Sequence, residues 1–418
     1  MRIAAAALLL LTACAGERAG TADPITWYGD VQPVVYRTCA NCHSEGSIGP
    51  GDFTNYDGFR LLASMARAQL DAGLMPPPAS ESDCRPYKGA EHLQITDDER
   101  LMILDWIDAG LPEGDPADAA PAFEPYFQHL QDPDLVLPLP EEHTLHPNES
   151  GNEYRCFVLD YVPDHDFSIT AFDPQIGNEA VVHHLILFRD PNHDAGSEYG
   201  VAPGTKSFDC MNPIMESDWE PLHAWAPGMP TTVLQDGLGL EIHAGDQLVI
   251  QMHYYDPSHE PETDRSAYAL KTTTDTVGEV QMYPGALPGF HIPAGDPDYT
   301  YTRSFPVGNL PVDLALWGIF PHMHYLGQHY EAKVTHADGT EECAVRGGWD
   351  FDHQMAYMFD EPLIIHSGDT VSGSCNWDNS ADNPNQLFDP PEPINWGEGT
   401  DDEMCVFLMY MSIAPTQN

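Results

Sequence analysis

The sequence has little positive charge. Sixteen lysines and arginines stand against 66 aspartates and glutamates, for a net charge of -50. Only Lys88, Lys206, Lys271 and Lys333 are lysines. Such an acidic surface repels phosphate backbones, which excludes nucleic acid as a partner. Self-repulsion on this scale suits a salty medium, where counter-ions screen it. Long apolar runs are also missing. After Ala4 to Leu11, no stretch approaches the roughly 20 residues of a membrane-spanning helix. There is no His-Glu-x-x-His, the general-base signature of zinc hydrolases, and no short-period repeat. Apolar residues are not scarce: 42% of the 418 residues are hydrophobic and 10% aromatic, enough for two or three ordinary domains. With 38 prolines and 34 glycines, the chain should be rich in turns, poor in long helices and mostly β.

Residues 1–20 read as a secretory signal peptide: Met1-Arg2-Ile3, the apolar run, then Leu11-Thr12-Ala13-Cys14. The last four resemble a bacterial lipobox, which implies cleavage before Cys14 and a lipid anchor on its thiol. A plain signal peptide cut a few residues later is the other reading. Either way the expectation is an exported protein, and the lipobox points to a periplasmic or outer-membrane/cell-surface lipoprotein of a bacterium. Disulfides are permitted there.

Residues 21–112 predict a small all-α domain. Ile25 to Tyr36 has helical spacing, and Phe59 to Leu74 reads as a helix stopped by Gly73 and Pro76-Pro77-Pro78. Thr96 and Glu99 form a capping box ahead of the stripe Leu101, Leu104, Ile107. Residues 113–140 are rich in proline and acid and read as a linker. From 141 onward, short alternating strands predict two β-sandwiches, 141–274 and 275–418. The strands include Cys156–Tyr161, Val181–Phe188, Gln247–Tyr254, Leu314–Phe320, Glu331–Thr335 and Val406–Met411.

Cys39-x-x-Cys42-His43 is the signature of covalent c-type heme attachment. The thiols form thioethers and the imidazole reaches the iron. Half a zinc site is the rival reading, but zinc needs two further ligands and the next cysteine is Cys84. Met75, in Gly73-Leu74-Met75-Pro76-Pro77-Pro78, is the favoured second axial ligand over Met65 and Met102, because proline stiffens its loop. Loop, spacing and preceding helix resemble cytochrome c. His/Met ligation suits passing electrons on.

Three histidine clusters sit on probable strands: His183-His184, His253, and His322-Met323-His324. On a strand, residues two apart share a face, so His322 and His324 have chelate geometry. The adjacent His183 and His184 need a twist or bulge to share a metal. His129, His193, His259 and His353 read as structural or surface residues. Neutral imidazoles with a thioether suit copper. Here the residues resemble the type II copper, ascorbate-dependent monooxygenases, which include peptidylglycine α-hydroxylating monooxygenase and dopamine β-monooxygenase. The similarity spans about 145–413 and keeps the motif order: His183-His184, His253, His322-x-His324 before Leu326-Gly327, and Met404-Cys405 before Met409-Tyr410.

The resemblance implies two jelly-roll-like copper domains and two copper ions. His183, His184 and His253 would hold one ion and supply an electron across an interdomain cleft. His322, His324 and Met404, as the catalytic set, would hold the other, where O2 reacts. It also implies Cys156–Cys210 and Cys375–Cys405 bridges, leaving Cys84 and Cys343, which might pair across domains. The implied reaction inserts one oxygen atom of O2 into a C–H bond of a small-molecule substrate. Electrons would come from ascorbate or an electron-donor protein, with the fused heme as relay or replacement. The peptide-amidating members carry an arginine, a tyrosine and an asparagine where this chain has Phe320, Leu408 and Val406. Without a carboxylate clamp, the expected substrate is weakly polar. A heme–copper electron carrier, a copper store and an adhesive module are the rival readings.

Overall fold

The computed structural model describes residues 24–415 apart from 46, 127, 194, 198, 203, 212, 257, 259 and 276. The expected signal peptide, Cys14 and His259 lie outside the described residues.

The helical unit follows its local signals. A π-helical turn, Trp27–Val31, runs into the helix Gln32–Thr38, whose first turn accepts Pro33. The helix Tyr56–Asp71 is capped by Asn55, whose side chain accepts from the Gly58 amide. It ends three residues earlier than expected, and Gly73 follows at φ 68°. The helix Asp97–Asp108 has the expected capping box, with Thr96 and Glu99 bonding each other's backbone. Its buried stripe differs from the expected one. Leu101 is exposed, while Ile103, Leu104 and Trp106 point inward. They pack with Trp27, Val35 and Phe59 into a core separate from that of the β region.

Two sandwiches follow. In the first, the strands Leu135–Pro138, Ala267–Thr273, Phe167–Gln175, Leu238–Ile242 and Gly278–Glu279 pair in that order. Its second sheet runs Ser207–Asp209, Asn152–Val158, Gln247–Tyr255, Val182–Asp190, Glu220–Trp225. The second sandwich has a sheet Gln281–Ala286, Val406–Ile413, Leu314–His322, Tyr357–Ile365 and another Tyr299–Pro306, Thr370–Trp377, Gly327–Thr335, Glu341–Gly348. The strands expected from alternation are present, with ends shifted by a few residues. Two limits move. Leu135–Pro138, expected in the linker, pairs with Ala267–Leu270, because alternate apolar residues there complete a sheet edge. Gly278–Glu279, expected in the second sandwich, pairs with Leu238 and Gly239 of the first. One continuous apolar core runs through both sandwiches.

Disulfides join Cys156 to Cys210, Cys375 to Cys405, and Cys84 to Cys343. The last ties the helical unit to the second sandwich. Around it, Ser80 bridges Gly347, Tyr87 bridges Phe359, and Arg85 and Arg346 pair with Glu342 and Glu81. No helix among the described residues is long and apolar enough to cross a membrane.

Candidate metal centre

His183, His184 and His253 come from two central, adjacent strands. The antiparallel register sets His253 opposite His184 and then jumps, so that Tyr254 faces Val182. The skipped residue is His183. This bulge lets two neighbouring histidines serve one point, as their adjacency requires. One ring nitrogen from each of the three lies within 4.8 Å of the others. His184 Nδ1 is 3.2 Å from His183 Nδ1 and 3.3 Å from His253 Nδ1. Nitrogens bound to one ion at about 2 Å stand at such separations. Nε2 of His253 lies 2.8 Å from the side-chain oxygen of Asn152. That oxygen only accepts, so Nε2 carries the proton and the Nδ1 lone pair is free. Tyr154 stacks on the His253 ring at 4.1 Å, and Phe351 on His183 at 4.4 Å. Burial, reinforced by the neighbouring His322, pulls the His183 pKa down to about 3. His184 and His253 are driven well below the ordinary range, again mainly by burial. All three imidazoles are therefore neutral at neutral pH, the protonation state of a metal ligand. His183 Nε2 is buried with no hydrogen-bond partner.

The second set is assembled differently. His322 closes the strand Leu314–His322, but His324 lies just past it in a turn, not on the strand as expected. The rings still converge, with centroids 5.2 Å apart. His322 pairs with Val406 on the neighbouring strand, two residues after Met404. Met404 shares a cavity wall with both histidines. His322 Nδ1 lies 2.8 Å from the side-chain oxygen of Gln354, and His324 Nδ1 lies 3.1 Å from the carbonyl of Asp402. Both Nδ1 atoms donate, which leaves both Nε2 lone pairs free.

Glu403 has a part the sequence did not reveal. Its fully buried carboxylate accepts from the amides of His324 at 2.9 Å and Leu326 at 2.6 Å, and from the Trp377 indole at 2.8 Å. These contacts fix the turn that carries His324. Burial pushes the Glu403 pKa up to about 7, against the lowering effect of those donors. As one of 66 acidic residues it gave no sequence signal of its own. Gln354 and Asn152 were likewise missed, because a single amide side chain has no motif.

The open cleft expected between the two sets is absent. The rings of His184 and His322 stand 5.9 Å apart, so all five histidines form one cluster at the junction of the sandwiches. The two sandwiches share one apolar core at this junction. Beside the cluster is a small cavity lined from both sandwiches. His184, His322, His324 and Met404 line one side, and Ile186, Ile214, Phe320, Val406 and Leu408 line much of the rest. Phe320 and Leu408 are partners across the strand pair, so the two substituted positions meet in one wall.

In the helical unit, Cys39 and Cys42 are the free cysteines among the described residues. The amides of Cys42 and His43 both bond the Cys39 carbonyl, a tight turn that presents all three side chains together. Burial raises both thiol pKa values, that of Cys39 to about 11. His43 Nδ1 donates to the Pro50 carbonyl at 2.8 Å, which frees Nε2, and the ring stacks on Phe53 at 4.5 Å. A side chain on Gly49 would strike the imidazole, so the loop wraps it closely. Of the three thioethers, Met102 packs on the helical core, whereas Met65 and Met75 are exposed. Ile48, Leu61, Leu74 and Leu101 are exposed as well. His129 and His193 are exposed, as expected, while His353 is buried beside the metal centre.

Residues 291–418 match the family model described as copper type II ascorbate-dependent monooxygenase, C-terminal domain. That span contains His322, His324 and Met404, and this part of the chain is a copper monooxygenase-like domain, for which copper is expected. No curated protein matches the chain. Similar solved structures include the infectious bursal disease virus VP2 subviral particle, at 9% identity and TM-score 0.20, covering 69% of this chain and 74% of that one. The cowpea mosaic virus top component has 9% identity and TM-score 0.26, covering 64% and 91%. The major capsid protein P2 of bacteriophage PM2 has 9% identity and TM-score 0.24, covering 66% and 100%. At such scores the likeness carries no argument.

Proposed function

We propose that the chain is an exported copper monooxygenase that hydroxylates a C–H bond of a small, weakly polar substrate with O2. In this reading a c-type heme at Cys39, Cys42 and His43, with Met75 as the other axial ligand, relays electrons from ascorbate or a donor protein. A lipid at Cys14 would hold the protein to a membrane. The observation that carries the reading is a cluster of five imidazoles held neutral by burial, of which His184, His322 and His324 line one largely apolar cavity with Met404.

The donor sets fit the groups. The Nδ1 atoms of His183 and His253 both lie close to that of His184, and a thioether joins His322 and His324, a nitrogen–sulfur set suited to Cu(I). Copper, when bound, would supply one-electron storage and O2 reduction. Asn152, Gln354 and the Asp402 carbonyl fix the tautomers of His253, His322 and His324, so none of these three has to lose a proton before a ligand can bind. Phe320, Leu408 and Val406 offer a substrate apolar contact, and a carboxylate there would find no cation. Met75 and its chain neighbour Leu74 are exposed apolar surface that a porphyrin would cover.

The apolar lining of the cavity favours this reading over a plain heme–copper electron carrier, which has no use for a substrate-binding wall. Metal and heme analysis of the purified chain, run with an O2-uptake screen over small aromatic and aliphatic compounds, tests it. One heme, two coppers and O2 uptake matched by hydroxylated product are expected. Tight copper binding with no substrate-dependent uptake would leave the electron carrier.

A further inference from the structure

On the copper reading above, we propose that Thr400, in the second sandwich, is a positioning residue for the His183, His184 and His253 set of the first. Two side chains of the strand Asn152–Val158 hold the His253 ring. Tyr154 stands opposite His253 in the ladder and stacks on its face at 4.1 Å. Asn152, two residues earlier and so on the same side of the strand, accepts from His253 Nε2 at 2.8 Å. Both side chains also reach out of their own sandwich to one loop, residues 396–404. The Asn152 side-chain nitrogen donates to the Thr400 hydroxyl at 2.9 Å, and the Tyr154 hydroxyl donates to the Glu398 carbonyl at 3.1 Å. Asn152 and Thr400 are each only 5% exposed, so their bond is shielded from water.

The loop is a firm support. The Gly397 amide donates to the Glu403 carbonyl at 3.2 Å, the Asp402 amide donates to the Gly399 carbonyl at 2.9 Å, and Trp396 bridges Glu403. Its far end carries Met404, and its Asp402 carbonyl accepts from His324 Nδ1. A segment that serves the second set therefore also grips the two side chains that hold His253. The chemistry of the grip lies in the Asn152 amide. Its nitrogen has two acceptors, the Thr400 hydroxyl at 2.9 Å and the Ser150 carbonyl at 3.3 Å, and these keep its oxygen turned to His253. Without the hydroxyl, one longer bond remains and the amide is freer to turn. A turned amide would donate to Nε2, and the proton would then sit on Nδ1, the atom beside His184. A threonine placed only for packing would be equally well replaced by valine.

The test uses the full chain. Cu(I) is titrated against a competing chelator, and the sulfur contribution to X-ray absorption distinguishes the ion at Met404 from the one at the three histidines. Thr400→Val keeps the shape and removes the hydroxyl, whereas Thr400→Ser keeps the hydroxyl. In T400V, copper at the three histidines should bind about 10–100-fold more weakly. T400S should restore most of that affinity. Copper at Met404 and the thermal midpoint of the metal-free chain should be unchanged in both. In an Asn152→Ala background, T400V should add nothing, because the two residues act as one unit. Wild-type affinity in T400V would overturn the proposal, and so would an equal loss in T400S or an additive loss on Asn152→Ala. Weakening of both sets together with a lowered thermal midpoint would also overturn it, since that marks a merely structural role. If the unmodified chain takes up no copper at the three histidines, the copper reading itself fails, an outcome distinct from a set indifferent to Thr400.

Discussion

The two histidine sets meet in one cluster, yet they are built by opposite means. His183, His184 and His253 sit within a ladder, where paired strands and one bulge fix them and a single amide, Asn152, orients the third ring. His322, His324 and Met404 sit where a strand pair ends, and their positions depend on side chains reaching in: Gln354, and above all the buried Glu403. A site inside a sheet is held by backbone hydrogen bonds, which opens it only with the sheet. A site at a sheet's end can be adjusted by a few side chains, which suits the position that must admit a substrate and accept a thioether.

Substitutions should break or sharpen this contrast. The largest effect is expected for Met404→Ala, which should abolish substrate-dependent O2 uptake while leaving the heme spectrum and the copper bound by the triad intact. Full activity in that variant would remove Met404 from the centre. Next comes Glu403→Ala. Loss of an acceptor shared by His324, Leu326 and Trp377 leaves buried donors unmet and should cost about 3 kcal/mol, read as a lowered thermal midpoint. Glu403→Gln keeps one oxygen and should recover part of it. Asn152→Ala should weaken copper at the triad about 10–100-fold with little change in fold stability, measured by competitive chelation. If Asn152→Ala melts the fold and Glu403→Ala does not, the contrast is reversed.

The smallest effect lies away from the centre. The Asp369 carboxylate, 2.9 Å from His336, raises the pKa of that imidazole. A raised folded-state pKa contributes stability that is complete below the ordinary imidazole range and is lost as pH rises through the raised value. His336→Asn should therefore lower stability at about pH 5.5 and have little effect at about pH 8.5 in paired denaturant titrations.

The pattern of what was legible follows the same contrast. Alternating apolar residues marked the strands carrying His183, His184, His253 and His322, because a half-buried strand repeats every two residues. The grouping of Cys39, Cys42 and His43 on one tight turn was legible because their spacing is local. The capping box at Thr96 was read correctly, but the buried stripe was not: Leu101 and Ile103 are both apolar, and only the packing of Trp27 and Phe59 decides which faces inward. The closeness of His184 to His322 was invisible, since nothing in either strand encodes the angle between two sandwiches. Glu403, Asn152 and Gln354 act through long-range contacts, and such partners carry no spacing that a single sequence displays.

The Cys84–Cys343 bond has a consequence for how the chain would age. Residues 113–134 are rich in proline and acid and include exposed positions, where a protease would find its easiest cut. A single nick there yields two fragments on a reducing gel and one particle without reductant. The helical unit is lost only when cleavage and thiol reduction coincide, so in an oxidising compartment wear on the connecting segment leaves the assembly whole.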